Sequence, residues 1–339
     1  MDTILAHQYS LGSLWNYYLS LSAAKAHPKH SSEPPLKSQY LHTAEPCNTC
    51  ALPANACDGA QTVSPSEQIR DGSSSLLPVA NADGDGDRQT QEELEIIAGG
   101  TTGLIKLRAG HAFVEKAPYP DSRDTRLSLR ELQREYIAYR RLPQHARLLR
   151  LHPDSTPERI VLPYLRNGSL HDFLRATPVF SSAQRIQFAA DAAEGLHILH
   201  SAGIVHGDIN SWNFLINDDF RLCIIDFAGA SIDGKAGSAF EGVRYCLPRS
   251  MDDPSTIQTD LFALGSLLYE IMTGEEPYYK HKDEEVEGLF KNGHFPSTEH
   301  LVLGCVTLGC WQKAYDSADL VYQKIVETLS KQSNEENQS

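Results

Sequence analysis

GIVHGDINSWNFLINDDFRLCIIDFAG, residues 203–229, decides how the rest of this 339-residue chain is read. Ile204 and Val205 lead into His206-Gly207-Asp208, and Phe214-Leu215-Ile216 follows Asn213. Asn217-Asp218-Asp219 predicts a turn, and Leu222 to Ile225 a second strand that ends at Asp226. Two short strands thus bring Asp208, Asn213 and Asp226 to one edge of a hairpin. Magnesium takes hard oxygen ligands, few of them from protein when phosphates and water supply the rest. An Asp and an Asn can share that task, which leaves the second Asp to orient a hydroxyl nucleophile, as phosphoryl transfer requires. A hairpin whose polar residues only cap its turns is the competing reading of this stretch alone.

Outward from it, Ser181 to Ser201 predicts a long helix. Ile186, Phe188, Ala189, Ala192, Ala193, Leu196, Ile198 and Leu199 give it a wide apolar face, and Gly203 follows its end. His200 reads as a packing or capping histidine. Globular patterning begins at Glu93. Leu94 to Ile97 alternates as a strand, Ala98 to Ile105 is a glycine-rich turn, and Ala112 to Lys116 is another strand. Glycines let backbone amides come close to phosphates, though a plain hairpin turn uses them too. Ser128 to Leu142 holds no glycine or proline and places Leu132, Tyr136, Tyr139 and Leu142 on one helical face.

The formal charge of -14 argues against a nucleic-acid partner and against adhesion to an anionic membrane. No apolar run reaches the roughly 18–20 residues of a membrane span. The first residues lack a basic region and make a poor signal peptide. Seven scattered cysteines form no disulfide framework, so a reducing cytoplasmic or nuclear setting is expected. Residues 1–92 read as a disordered, low-complexity tail rich in Ser, Pro, Ala, Gly, Asp and His. Within it Cys47-Asn48-Thr49-Cys50 lacks a second ligand pair at zinc-finger spacing and reads as free thiols. Leu11 to Leu21 is a short amphipathic segment, either a docking helix or inert, and is read as inert.

The central stretch resembles the catalytic and metal loops of eukaryotic protein kinases, H-R-D-x-x-x-x-N and D-F-G, here His206 to Asn213 and Asp226-Phe227-Ala228. Asp208 precedes Asn213 by five residues and Asp226 by eighteen, both usual for the family. Further matches keep the family's order over residues 93–328. Asn167-Gly168-Ser169-Leu170 resembles a helix start with Ser169 as cap. Tyr245-Cys246-Leu247-Pro248-Arg249 stands where the family has A-P-E, at the end of an activation segment. Thr259 to Gly274 resembles the D-x-x-x-x-G helix, whose Asp260 would bond the backbone around His206. Leu303 to Lys313 resembles a late helix with a buried Cys-Trp pair. His145 to Leu151 resembles the strand after the first helix, and Arg159 to Leu165 the strand and hinge beside adenine.

The resemblance implies an α+β, bilobal fold. A small N-lobe antiparallel sheet with one helix would span 93–163, a hinge 163–166, and a larger, mainly helical C-lobe 167–330, followed by a disordered tail at 331–339. It implies an ATP-dependent protein kinase that transfers the γ-phosphate to a protein hydroxyl, serine or threonine by the family's commoner habit. Asp208 would be the catalytic base, and Asn213 and Asp226 would hold Mg²⁺. Lys116 would bind the α- and β-phosphates, held by Glu135 nineteen residues later, with Glu131 as the competing partner. Gly100 and Gly103 would lie over the phosphates. Ile105 and Val114 would cover adenine and Leu215 underlie it, with Leu162 as gatekeeper and Leu165 giving the hinge N–H. The expected partners are ATP, Mg²⁺ and a protein substrate, with no nucleic acid or membrane, and the protein would be a monomer.

Four departures matter. Gly207 replaces the Arg that receives a phosphorylated activation loop, so the enzyme would be constitutively poised. Ala228 replaces a glycine, which matters only if that residue needs positive φ. Arg249 replaces a Glu, and Asp319 would supply a reversed ion pair. Asn210 replaces a Lys and removes a cation from the transferring phosphate, an effect worth ~2.7–4 kcal/mol per donor. These departures keep open a pseudokinase, acting as an ATP-binding or protein-binding module. Small-molecule phosphotransferases of the aminoglycoside and choline kinase type share H-G-D and I-D-F but lack the activation segment and the D-x-x-x-x-G helix.

Overall fold

A computed structural model of the chain describes residues 94–336 other than 101, 121–124 and 178, with side chains as far as 331. The tail to residue 92, its Cys47–Cys50 pair and the Leu11 to Leu21 segment lie outside the described residues. Four antiparallel strands in chain order make the N-terminal sheet: β1 (Glu95–Gly99), β2 (Leu104–Leu107), β3 (Phe113–Ala117) and β4 (Ile160–Pro163). Ile105 pairs with Lys116 and Val114 with Leu162. Directly opposed residues share a face, as do residues two apart on a strand. Ile105, Val114, Lys116 and Leu162 therefore line one side of the sheet. Helix α1 (Thr125–Arg141) crosses over with Leu132 and Ala138 fully buried and Tyr136 and Leu142 partly so.

The strand expected over 145–151 does not form. Residues 145–148 turn, and only Leu148 makes an isolated parallel bridge, to Ile224. The cause is polar. Arg147 is buried and points to Asp191 (2.7 Å) and to the Leu222 carbonyl (3.1 Å), which draws this segment toward the C-terminal lobe. The outer edge of β4 is satisfied instead by Ser155, whose hydroxyl accepts from Val161 N (3.0 Å) and donates to Val161 O (3.2 Å). Together with the His152 amide, which also donates to Val161 O (3.0 Å), this side chain takes the place of the missing ladder.

The C-terminal lobe is mainly helical: α2 (Leu170–Ala176), α3 (Ser182–Ser201), α4 (Ile257–Thr273), α5 (Asp283–Lys291), α6 (Gly304–Trp311) and α7 (Ala318–Glu336). Ser169 caps α2 by accepting from Asp172 N, as its sequence position implies. Helix α4 is buried without a break from Thr259 to Leu268, the mark of a helix apolar on all faces at the centre of a core. Thr256 and Thr259 bond reciprocally at its start, and Gly274 ends it with φ 84°. A Cβ on Gly265 would lie 2.8 Å from that of Cys310, so this glycine lets α4 and α6 close up around the buried Cys310-Trp311 pair. Helix α7 runs to Glu336, past the expected boundary at 330; Lys331 to Glu336 contains no helix breaker. Among the described residues no helix is long and apolar enough to cross a membrane.

Between the lobes lie the short strands β5 (Ile204–Val205), β6 (Phe214–Ile216), β7 (Leu222–Ile224) and β8 (Ser231–Ile232), with a 3₁₀ turn at Ser211–Asn213. β6 and β7 form the expected hairpin, with Phe214 opposite Ile224. Asn217 closes it by accepting from Asp219 N and Arg221 N.

Candidate active site

Asp260 fixes the loop that carries Asp208. It is fully buried at the start of α4 and accepts from His206 N (2.8 Å), Gly207 N (2.8 Å) and His200 Nε2 (2.9 Å). His200 is therefore more than a packing residue: it is the third donor on this carboxylate. His206 extends the scaffold, donating from Nε2 to Ile225 O (2.9 Å) while Nδ1 accepts from Asp208 N (3.2 Å). Phe227 is buried against both His206 and Tyr139 of α1, with ring centroids 5.9 and 4.8 Å away. Phe227 thereby links the His206 loop to α1.

Two amides hold the Asp208 carboxylate. Asn210 Nδ2 donates to Oδ1 (2.8 Å) and Asn213 Nδ2 to Oδ2 (3.1 Å) and to the Asp208 carbonyl (2.7 Å). Asn210 Oδ1 caps the 3₁₀ turn by accepting from Trp212 N (2.9 Å). Burial pushes Asp208 up to about 6, aided by the charge of Asp226 and opposed by His206 and the two amides. Asn213 commits its nitrogen to Asp208, which leaves its amide oxygen for a metal. Ile225 N bonds Asn213 O (3.0 Å), so Asp226 emerges beside Asn213. A carboxylate and an amide oxygen at one hairpin end fit the hard-oxygen demand of Mg²⁺.

Lys116 Nζ lies 2.7 Å from Glu135 Oε2 and 2.7 Å from Asp226 Oδ1. Burial alone would lower the lysine pKa; Asp226 and Glu135 outweigh it and raise it. Burial raises Glu135 against the pull of Lys116, whereas for Asp226 the lysine outweighs burial and lowers the carboxyl. A buried ion pair is weak evidence for stability, so placing this triad at the cleft points to chemistry. Glu131 does not compete for Lys116; it accepts instead from Ser238 Oγ (3.0 Å).

On the nucleotide side, Tyr164 N is bonded to Ala112 O (2.9 Å), and among the described residues no bond uses Leu165 N–H, so that amide remains for a base. Leu215 is partly buried in β6. The glycine turn is partly engaged in local contacts. Gly100 N already bonds Gly103 O (3.0 Å), and Gly100 O accepts from Tyr119 Oη (2.7 Å). A Cβ on Gly103 would lie 2.2 Å from Ala117 O, so this glycine serves close packing on β3.

The activation segment accounts for the departures. Gly207 has φ 77°, and a Cβ there would meet Ser255 Oγ at 3.0 Å and Ala239 Cβ at 3.2 Å. Gly207→Ala is expected to cost ~1–2 kcal/mol from left-handed strain plus the contact, read as a lower urea midpoint at unchanged m. Ala228 has no positive φ, so it needs no glycine. Arg249 does not pair with Asp319. It pairs with buried Glu241 (2.7 Å), eight residues earlier in its own segment, and Asp319 accepts from Gln323 instead. Proximity along the chain makes the local pair the easier one to form. Glu270 of α4 accepts from Ser211 Oγ (2.9 Å) and Tyr245 Oη (2.6 Å), joining the catalytic turn to the segment; burial pushes it up to about 7. A glutamate inside the apolar run LLYEIM was the available sequence signal for that role. Ser238 lay in featureless polar text and gave none.

A match to the protein tyrosine and serine/threonine kinase family covers residues 120–323. The chain is 29% identical over 186 residues to the megakaryocyte-associated tyrosine-protein kinase of Rattus norvegicus, covering 51% of this chain and 39% of that protein. It is 29% identical over 155 residues to 3-phosphoinositide-dependent protein kinase 1 of Homo sapiens, covering 42% of this chain and 28% of that protein. The chain thus spans well under half the length of these curated relatives. Motif order, the lysine–glutamate–aspartate triad and a family match over most of the folded part lead to one conclusion: the chain belongs to the protein tyrosine and serine/threonine kinase family.

Proposed function

We propose that the chain is an ATP-dependent protein kinase that transfers the γ-phosphoryl group to a serine or threonine hydroxyl of a protein. The observation that carries this reading is the intact set of five residues in two hydrogen-bonded groups, Lys116 with Glu135 and Asp226, and Asp208 with Asn213. Lys116, positioned by Glu135, binds the α- and β-phosphates. Asn213 and Asp226 would hold Mg²⁺, which when bound would supply positive charge against the charge that develops on the phosphate. Ile105, Val114 and Leu215 enclose adenine, and Leu165 N–H bonds its edge. Asp208 orients the substrate hydroxyl and takes its proton as the oxygen–phosphorus bond forms and the bond to the ADP oxygen breaks. Asn210 keeps a donor on Asp208 where the family's lysine would bring a charge.

The test is phosphate transfer from labelled ATP by the full chain, with Mg²⁺, generic protein substrates, choline and an aminoglycoside, followed by phosphoamino-acid analysis. Phosphoserine or phosphothreonine is the expected product. Label on phosphotyrosine would correct the specificity, label on a small molecule would replace the reading, and no nucleotide-dependent transfer would leave a kinase-like binding module.

A further inference from the structure

We propose that Ser238 is a positioning residue that couples the activation segment to α1, and that it acts only as an uncharged hydroxyl. The inference rests on the kinase reading for its catalytic consequence. Ser238 Oγ donates to Glu131 Oε1 (3.0 Å) and accepts from Arg134 Nη1 (3.1 Å). Arg134 also reaches the Ala228 carbonyl, two residues after Asp226 (3.5 Å). Glu131, Arg134 and Glu135 occupy positions i, i+3 and i+4 of α1 and so share one helix face. The hydroxyl therefore grips α1 one turn from the glutamate that sets Lys116.

The segment leaves Ser238 little choice of place. Gly229 O accepts from both Ser238 N (2.9 Å) and Ala239 N (3.0 Å). A Cβ on Gly237 would lie 2.1 Å from Gly229 O, and one on Gly229 would lie 2.6 Å from that of Ala239. Ala239 in turn rests over Gly207. Backbone fold-back on one side and α1 on the other hold the serine between them.

The charge pattern sets the chemistry. Glu131 is buried and needs a donor; Arg134 needs an acceptor. A hydroxyl supplies both. An anion at this position keeps the Arg134 contact but has no proton for Glu131, and it sets a second negative charge against that buried carboxylate. Gly207 offers no cation beneath it.

The experiment compares wild type with Ser238→Ala, Ser238→Thr, Ser238→Asp and the double variant Ser238→Asp/Glu131→Gln, all as full chains. The readouts are kcat and KM for ATP in phosphotransfer, and hydrogen exchange of the α1 amides. Loss of one hydrogen bond to a charged group predicts about a tenfold fall in kcat/KM for Ser238→Ala. Ser238→Thr should restore it, Ser238→Asp should fall at least as far, and Glu131→Gln should partly rescue the aspartate. Exchange in α1 should quicken in the alanine and aspartate variants alone. Wild-type activity and α1 protection in Ser238→Ala, or activation by Ser238→Asp, would overturn the proposal. Absence of transfer by wild type would instead count against the kinase reading, and the exchange data would still decide the coupling.

Discussion

Asp208→Asn is expected to lower the phosphotransfer rate by ~10²–10⁴-fold, the usual contribution of a positioned general base, with nucleotide affinity retained. The site explains why so conservative a change should be so damaging. Both Asp208 oxygens accept from amide nitrogens, of Asn210 and Asn213. An asparagine offers one acceptor; its own NH₂ would face a second donor and turn away. The substitution thus removes the base and loosens the two residues that frame it. Lys116, Glu135 and Asp226 do not bond Asp208, so the phosphate-binding triad should persist. Equal ATP-analogue affinity in wild type and variant, measured calorimetrically, is the accompanying expectation. Equal turnover would remove Asp208 from the mechanism.

The same carboxylate predicts the acid limb of the pH profile. Burial raises Asp208 to about 6, and only its ionised form can take a proton. As pH falls through that value the competent fraction drops, so kcat/KM should decline roughly tenfold per pH unit below it and level off above it. The residual activity of Asp208→Asn should lack this limb.

The sequence disclosed these residues because they are bound to local patterns. Asp208, Asn213 and Asp226 sit at fixed offsets from two apolar strands, so pairing the strands suffices to bring them together. Helices α3 and α4 announce themselves by apolar faces and glycine stops. Polar pairings that follow no apolar periodicity were not legible. Arg147 reaching Asp191, Ser155 closing the edge of β4, and Arg249 choosing Glu241 over Asp319 are each decided by which buried donor finds which acceptor. No periodicity encodes that choice. The glycine turn shows two demands with one signature: Gly100 and Gly103 fit a phosphate-loop spacing, and the space near Gly103 is also set by the Ala117 carbonyl.

Asp260→Ala should produce the largest loss of stability of any single substitution considered. The carboxylate is fully buried, and its two oxygens serve three donors: two consecutive backbone amides and the His200 ring. Truncation leaves all three without an acceptor in a region packed by Phe227 and α4. Each orphaned buried donor costs ~1–3 kcal/mol, so three of them sum to roughly 3–9 kcal/mol. Against a typical domain stability of ~5–15 kcal/mol, that removes much of the margin. Asp260→Asn should be milder but still harmful, since it keeps one acceptor and turns an NH₂ toward donors. The functional consequence follows from position. His206 and Gly207 immediately precede Asp208, so losing their anchor lets the base drift from the substrate hydroxyl, and a shift of that kind acts on turnover more than on binding. In whichever variant stays folded, kcat should fall by a larger factor than KM for ATP rises. Urea unfolding with matched kinetics tests both halves. A wild-type midpoint in Asp260→Ala would mean that water can replace the carboxylate, and the loop would then owe its order to His206 and Phe227 instead.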